Sequence, residues 1–329
     1  MDIRVMKQYS VSKVFSLFKK FGGFRLFRAY VKLGVFSRVS IETIKGILQH
    51  QSVDKIYYRY QPYIVKALRR KYRNLMVERL SEHERKHLDN KLSDVVWCCW
   101  LQGFDNAPPI VKACHQSLRK HIKNKELRIV DEANRSEYIQ LPDFIEQRWK
   151  KGQIPLAMFA DLIRLELLIK YGGSWIDATV LCTSDDYPKE YLDANLFFFQ
   201  YSRKELDRFS GISNWFITSC SNHPVLMTLR DMLYAYWKDF DCVLEYFIFH
   251  RFIEMIFHLR PEVVKEMPYG FSPDCHILVH HWTEKFDRQK WDKLTGRICF
   301  HKLAHQIDER IYKDKNNYFN HIISEMCEK

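Results

Sequence analysis

The chain has 329 residues, 47% of them hydrophobic and 15% aromatic, with a net charge of +12. That apolar content fills one large core or two modest ones and excludes a disordered chain. The 9 cysteines are scattered and form no CxxC pair, which argues against a zinc knuckle or a thioredoxin-type site and for a reducing compartment.

The basic excess lies at the N-terminus: the first 91 residues carry 21 Lys and Arg against 7 Asp and Glu, more than the whole chain's net charge. No acid occurs between Asp2 and Glu42. The stretch SLFKKFGGFRLFRAYVKLGVF interleaves Lys19, Lys20, Arg25, Arg28 and Lys32 with Phe15, Phe18, Phe21, Phe24, Phe27 and Tyr30. Its Gly22-Gly23 pair predicts two short helices rather than one. Basic and aromatic side chains together suit an anionic membrane surface, with the rings at the headgroup boundary; packing of the aromatics on the main domain is the alternative. No nucleic-acid-binding motif is present; a nucleic-acid-binding module would explain only the charge, and no nucleic-acid partner is expected. The start of the chain shows no secretory signal pattern, and no run of about 18 apolar residues occurs, so neither export nor a membrane span is expected.

From about Leu92 onward the pattern becomes alternating strands and helices. Val95 to Trp100 is a continuous apolar run, as in a strand buried on both faces. A helix is expected next, with Asn106 as cap, Pro108 in the first turn and Ile110, Val111, Cys114 and Leu118 on its inner face up to His121. Leu127 to Val130 reads as a second strand. Strand, helix and strand predict an α/β domain with a mostly parallel sheet over residues 92–329, following a helical, basic region over 1–91. There is no GxGxxG, no GxxxxGK[ST] and no GxSxG, so a usual dinucleotide fold, a P-loop and a hydrolase elbow are not supported.

The stretch from Ile154 to Ile169 is almost wholly apolar and reads as an internal helix, yet it carries Asp161 and Arg164, three apart on one face. Isolated charges there cost several kcal/mol, so they pair with each other or with a polar ligand. Gly172 or Gly173 ends the helix in a left-handed conformation, and Ser174-Trp175-Ile176 resumes as a strand that ends at Asp177. Ligands of open α/β sheets bind at such strand ends.

At these residues, D-x-x-R followed by an apolar helix and Y-G-G-x-W-I-D-A-T-V, the sequence resembles the capsular polysaccharide synthesis proteins. These are relatives of glycosyltransferases that share a DXD sugar-binding motif. The resemblance spans roughly Leu92 to His305. It implies a GT-A-like nucleotide-sugar-binding domain and transfer of a sugar from a nucleotide-diphosphate sugar to a glycan acceptor, lipid-linked at the inner face of the cell membrane, with retention of configuration. It further implies that Asp161 and Arg164, with Gly172 and Gly173, hold the donor sugar and that Trp97 or Trp100 stacks near the base. Asp177 is then the first acid of the metal motif, for Mn²⁺ or Mg²⁺.

Where relatives have a second acid, this chain has Thr179, a weaker ligand for a hard cation; Asp185 and Asp186 are candidates to complete the shell. The resemblance also points to a late His or Trp beside the diphosphate, which singles out His281 and Trp282. His301 and Lys302 are a second cationic pair, and Glu245 is a candidate catalytic acid facing the acceptor. A peripheral membrane or scaffold protein with a degenerate site, and a nucleotide-sugar hydrolase, are the alternative functions.

Overall fold

The computed structural model describes residues 23–86, 88–201, 211–306 and 308–327. The first of the two expected basic helices, before Gly23, lies outside them. The principal helices are α1 (Phe24–Leu33), α2 (Phe36–Leu48), α3 (Val53–Arg85), α4 (Pro109–His121), α5 (Leu156–Tyr171), α6 (Pro224–Asp239), α7 (Ile248–Leu259), α8 (Ile277–His281) and α9 (Tyr318–Cys327). The strands are β1 (Val95–Cys99), β2 (Glu126–Val130), β3 (Gly173–Ile176), β4 (Val180–Cys182), β5 (Leu196–Gln200), β6 (Ile212–Ser219) and β7 (Phe300–Lys302).

The chain divides into two units. One comprises Met1–Arg85, Leu141–Asp161 and Thr228–Leu259; the other comprises Lys86–Gln140, Leu162–Met227 and Arg260–Lys329. The N-terminal unit thus draws on three separate stretches of the chain, which no composition shift announces.

In the N-terminal unit α1 turns Leu26, Ala29, Tyr30 and Leu33 inward, the spacing of one helical face, and stops at Gly34, whose φ of 73° is left-handed. The long helix α3 buries Ile64, Leu68, Tyr72, Met76 and Leu80. Tyr72 meets Phe252 of α7 edge-on at 5.3 Å and donates its hydroxyl to Asp239 at 2.8 Å. Arg69 pairs with the buried Glu254 at 2.6 Å. This unit therefore has a core of its own, supplied by segments far apart in sequence.

The second unit is built on a five-stranded sheet in the order β2-β1-β3-β6-β5. β1 pairs in parallel with β2 and β3, and β6 runs antiparallel to β3 and β5. Four of the five strands thus point one way, and the expected strand, helix, strand start is β1, α4, β2. β3 and β5 are buried along their whole length, as strands covered on both faces must be. A separate ladder pairs β4 with β7 antiparallel, Val180 opposite Lys302. None of the described cysteines forms a disulfide, and no helix of the described residues is long and apolar enough to cross a membrane.

The turn from α5 into β3 explains the paired glycines. Gly172 and Gly173 have φ of 69° and 91°, which other residues adopt only at a cost. A Cβ on Gly172 would lie 2.7 Å from the Lys91 carbonyl oxygen, and one on Gly173 would run into that of Val95.

Candidate active site

β3 ends at Ile176, and the next residue, Asp177, continues the ladder by donating its N–H to the Trp215 carbonyl at 2.9 Å. The chain then turns at once, with the Val180 N–H bonded to the Asp177 carbonyl at 3.0 Å. That turn leaves the Asp177 side chain beyond the carboxyl end of the sheet, where crevices form in this class of fold.

Three donors converge on this carboxylate. Trp175 gives its indole N–H to Oδ1 at 2.8 Å. Arg164, 4% exposed on α5, gives Nη2 to the same oxygen at 3.1 Å. Lys302 places Nζ 3.0 Å from Oδ2. The same ammonium donates to Thr179 Oγ1 at 2.6 Å. The Arg164 guanidinium also lies over the Trp175 ring, 4.7 Å from its centroid, so the indole positions acid and base together.

The Asp177 side chain is 25% exposed. Burial opposes its ionisation, but the charges of Lys302 and Arg164, with hydrogen bonds from Trp175 and Lys302, outweigh that and hold its pKa below the usual carboxylate value. Arg164 and Lys302 thus both hold the Asp177 carboxylate, at an edge that is partly open. Trp100, one residue past β1, has a half-buried ring edge-on to the exposed His305 at 5.1 Å. Its indole N–H is buried without a partner. Partial desolvation and, secondarily, the charge of Lys302 lower the His305 pKa.

From residue 44 to residue 322 the sequence matches the capsular polysaccharide synthesis protein family. The chain belongs to that family. No curated protein matches it. Among solved structures it is similar to PaToxG Glycosyltransferase, at 12% identity over 80% of this chain and 95% of that one, with a TM-score of 0.36. At that distance the likeness carries no conclusion.

In this capsular polysaccharide synthesis protein, several residues singled out from the sequence are placed elsewhere or spent on structure. Gly172 and Gly173 sit at the amino end of β3, separated from Asp177 by a strand of about 13 Å at 3.3 Å per residue, and their role is close backbone packing rather than sugar contact. Trp97 is wholly buried; its N–H bonds the Gly172 carbonyl at 3.1 Å, and its ring packs on Tyr138 and Tyr171. It cannot stack a base, so that expectation passes to Trp100.

Glu245 lies in the N-terminal unit, 0% exposed. Its two oxygens accept from Gln61 Nε2 and from the Phe247 N–H, each at 2.9 Å, and it serves that unit's interior rather than an acceptor. His281 pairs with Glu284 at 2.8 Å at the end of α8, and Trp282 packs on Phe319 of α9; both are held by neighbours other than the Asp177 cluster. Asp185 is exposed and faces Lys123.

His301 is 1% exposed, and burial pushes its pKa down to about 4. It is a neutral core residue bonded to Thr183, not a cation for a diphosphate. Burial and, secondarily, Arg119 push His115 down to about 4 as well. In the unfolded chain both titrate near 6.5. Their contribution is therefore intact above about pH 6.5 and is lost as pH falls toward 4, at up to ~1.4 kcal/mol per pH unit each. Urea unfolding at pH 7 and pH 5 is expected to show the loss, and equal stability at both would contradict neutral burial.

Arg164, Asp177, Thr179 and Lys302 are joined by the bonds above, and Asp161 lies one turn before Arg164 on α5. Trp175 is not among the residues the sequence singles out, although a strand's period of two puts it on the same face as Asp177. A cavity of about 570 Å³ is lined by His115, Arg119, Ile122, Lys123, Lys125, Leu127 and Ile129 and shares no residue with the Asp177 cluster. Its lysines are already engaged, Lys125 by Asp94 and Asp193 and Lys123 by Asp185.

Proposed function

We propose that this chain is a glycosyltransferase that moves a sugar from a nucleotide-diphosphate sugar to a glycan acceptor in surface polysaccharide synthesis. Family membership supports the pathway class, and one observation carries the chemistry: a charged carboxylate just past the end of a central strand, gripped by a buried arginine and a lysine. In this reading a diphosphate-linked sugar offers hydroxyls to Asp161 and Arg164 and negative charge to Lys302. Positioning rather than covalent catalysis then supplies the rate, since the acceptor hydroxyl attacks a donor already oriented. Retention of configuration accords with the family resemblance. Trp100 is the candidate platform for the base. Release of nucleoside diphosphate from a donor panel tests this reading.

The acceptor is proposed to be lipid-linked, because the N-terminal unit presents a surface suited to a membrane. On α2, Ile41, Ile44 and Leu48 are 44%, 57% and 74% exposed and share one helical face. Phe24 and Val31 are exposed on α1, with the cation Arg28 beside Phe24. Tyr30, by contrast, is buried, so the aromatics divide between packing and exposure. Apolar side chains flanked by Arg and Lys fit the headgroup boundary of an anionic leaflet at the cytoplasmic face. Ile41→Glu, Ile44→Glu and Leu48→Glu together are expected to weaken sedimentation with phosphatidylserine vesicles about tenfold or more, leaving neutral vesicles unaffected. Unchanged binding of the triple variant would refute this surface.

A further inference from the structure

The resemblance implies a divalent ion held by Asp177 and the residue two positions on. The donor set does not suit one. The oxygens in question, Asp177 Oδ2 and Thr179 Oγ1, are bridged by the Lys302 ammonium at 3.0 and 2.6 Å. Asp177 Oδ1 is taken by Trp175 and Arg164. Among the described residues no group of three or more His, Cys, Asp and Glu could hold an ion. A dication entering between Asp177 and Thr179 would meet the Lys302 ammonium and a carboxylate whose two oxygens are already engaged, whereas Mg²⁺ sites rest on carboxylates free to bind it.

The ammonium's position is fixed by the fold. Lys302 is directly opposite Val180 in the β4 and β7 ladder, and the Leu303 N–H bonds the Thr179 carbonyl at 2.8 Å. The strand pairing therefore binds the lysine's backbone to the very turn that carries Asp177 and Thr179. Threonine at 179 fits this arrangement: a hydroxyl accepts from the ammonium without adding a charge, while an acid there would recreate a metal site.

We propose that Lys302 is the cation that neutralises the departing diphosphate in this chain, in the role a divalent metal ion would otherwise fill. The inference rests on the glycosyltransferase reading. In the step it serves, the bond between the anomeric carbon and the β-phosphate oxygen breaks and its electron pair stays on that oxygen, facing Lys302. The acceptor oxygen forms the new bond to the anomeric carbon, and its proton passes to the departing phosphate. Asp177 aims the ammonium, and Thr179 fixes its second direction.

The test is calorimetric titration of the full chain with UDP, GDP, ADP and dTDP, in excess EDTA and again with Mn²⁺. At least one diphosphate is expected to bind in EDTA, with an affinity that Mn²⁺ changes by less than about threefold. Lys302→Met is expected to weaken that binding in EDTA by about tenfold to a hundredfold, the worth of a charge-assisted hydrogen bond, and Lys302→Arg to restore most of it. The EPR signal of Mn²⁺ mixed with the unsubstituted protein is expected to remain that of the free ion, a readout independent of any variant's folding. Diphosphate binding that appears only with Mn²⁺ would overturn the role of Lys302 while leaving the transferase reading in place. Failure of every diphosphate to bind in either medium would overturn both.

Discussion

Asp177→Asn is expected to lower turnover by about a hundredfold or more, the scale seen when an oriented electrostatic partner is removed from a reacting centre. The amide still accepts from the Trp175 indole, but it no longer carries the charge that separates Arg164 from Lys302. Arg164 and Lys302 then both lose the Asp177 carboxylate as their partner. Breaking a buried ion pair by removing one partner costs about 3–5 kcal/mol; with the Asp177 side chain 25% exposed, the lower end is expected. Steady-state kinetics at low temperature, beside a thermal melt of the same preparation, separates the two losses. Full activity in a folded Asp177→Asn protein would remove Asp177 from the mechanism.

Gly173→Ala is expected to be strongly destabilising, at about 3 kcal/mol or more. The φ of 91° is outside the comfortable range of alanine, and the new methyl would meet the Val95 carbonyl, a backbone atom that cannot rotate away. Gly172→Ala is a similar case, its methyl 2.7 Å from the Lys91 carbonyl oxygen and 2.9 Å from the Ser221 nitrogen. Chemical denaturation reads the effect directly. A normal unfolding midpoint combined with lost donor binding would return these glycines to the sugar site.

The sequence made the scaffold of the site legible because its signals are local. The apolar run at β1, the glycines that stop α5 and the carboxylate that ends β3 each follow from neighbouring residues, and all three stand in the structure. Trp175 was within reach of the same reasoning through the two-residue strand period. Lys302 was visible as a cation but not as the partner of Asp177, because the link depends on β7 pairing with β4 across more than a hundred residues. His301 and Glu245 misled for the opposite reason: a polar residue in an apolar stretch reads as functional until burial and its partners are known, and both prove to be held in the interior. Segments Leu141–Asp161 and Thr228–Leu259 rejoin the N-terminal unit through tertiary packing that leaves no mark on composition.

Action of the Asp177 cluster on a nucleotide-diphosphate sugar is the proposed step. It is tested most directly by incubating the full chain with a panel of UDP-, GDP-, ADP- and dTDP-sugars and measuring release of nucleoside diphosphate, with Asp177→Asn as the matched control. Release from one donor class by the unsubstituted protein, reduced about a hundredfold or more in the variant, is the result expected. Equal release from both proteins would place the chemistry elsewhere, and no release from any donor, with glycan acceptors present, would contradict the glycosyltransferase assignment itself.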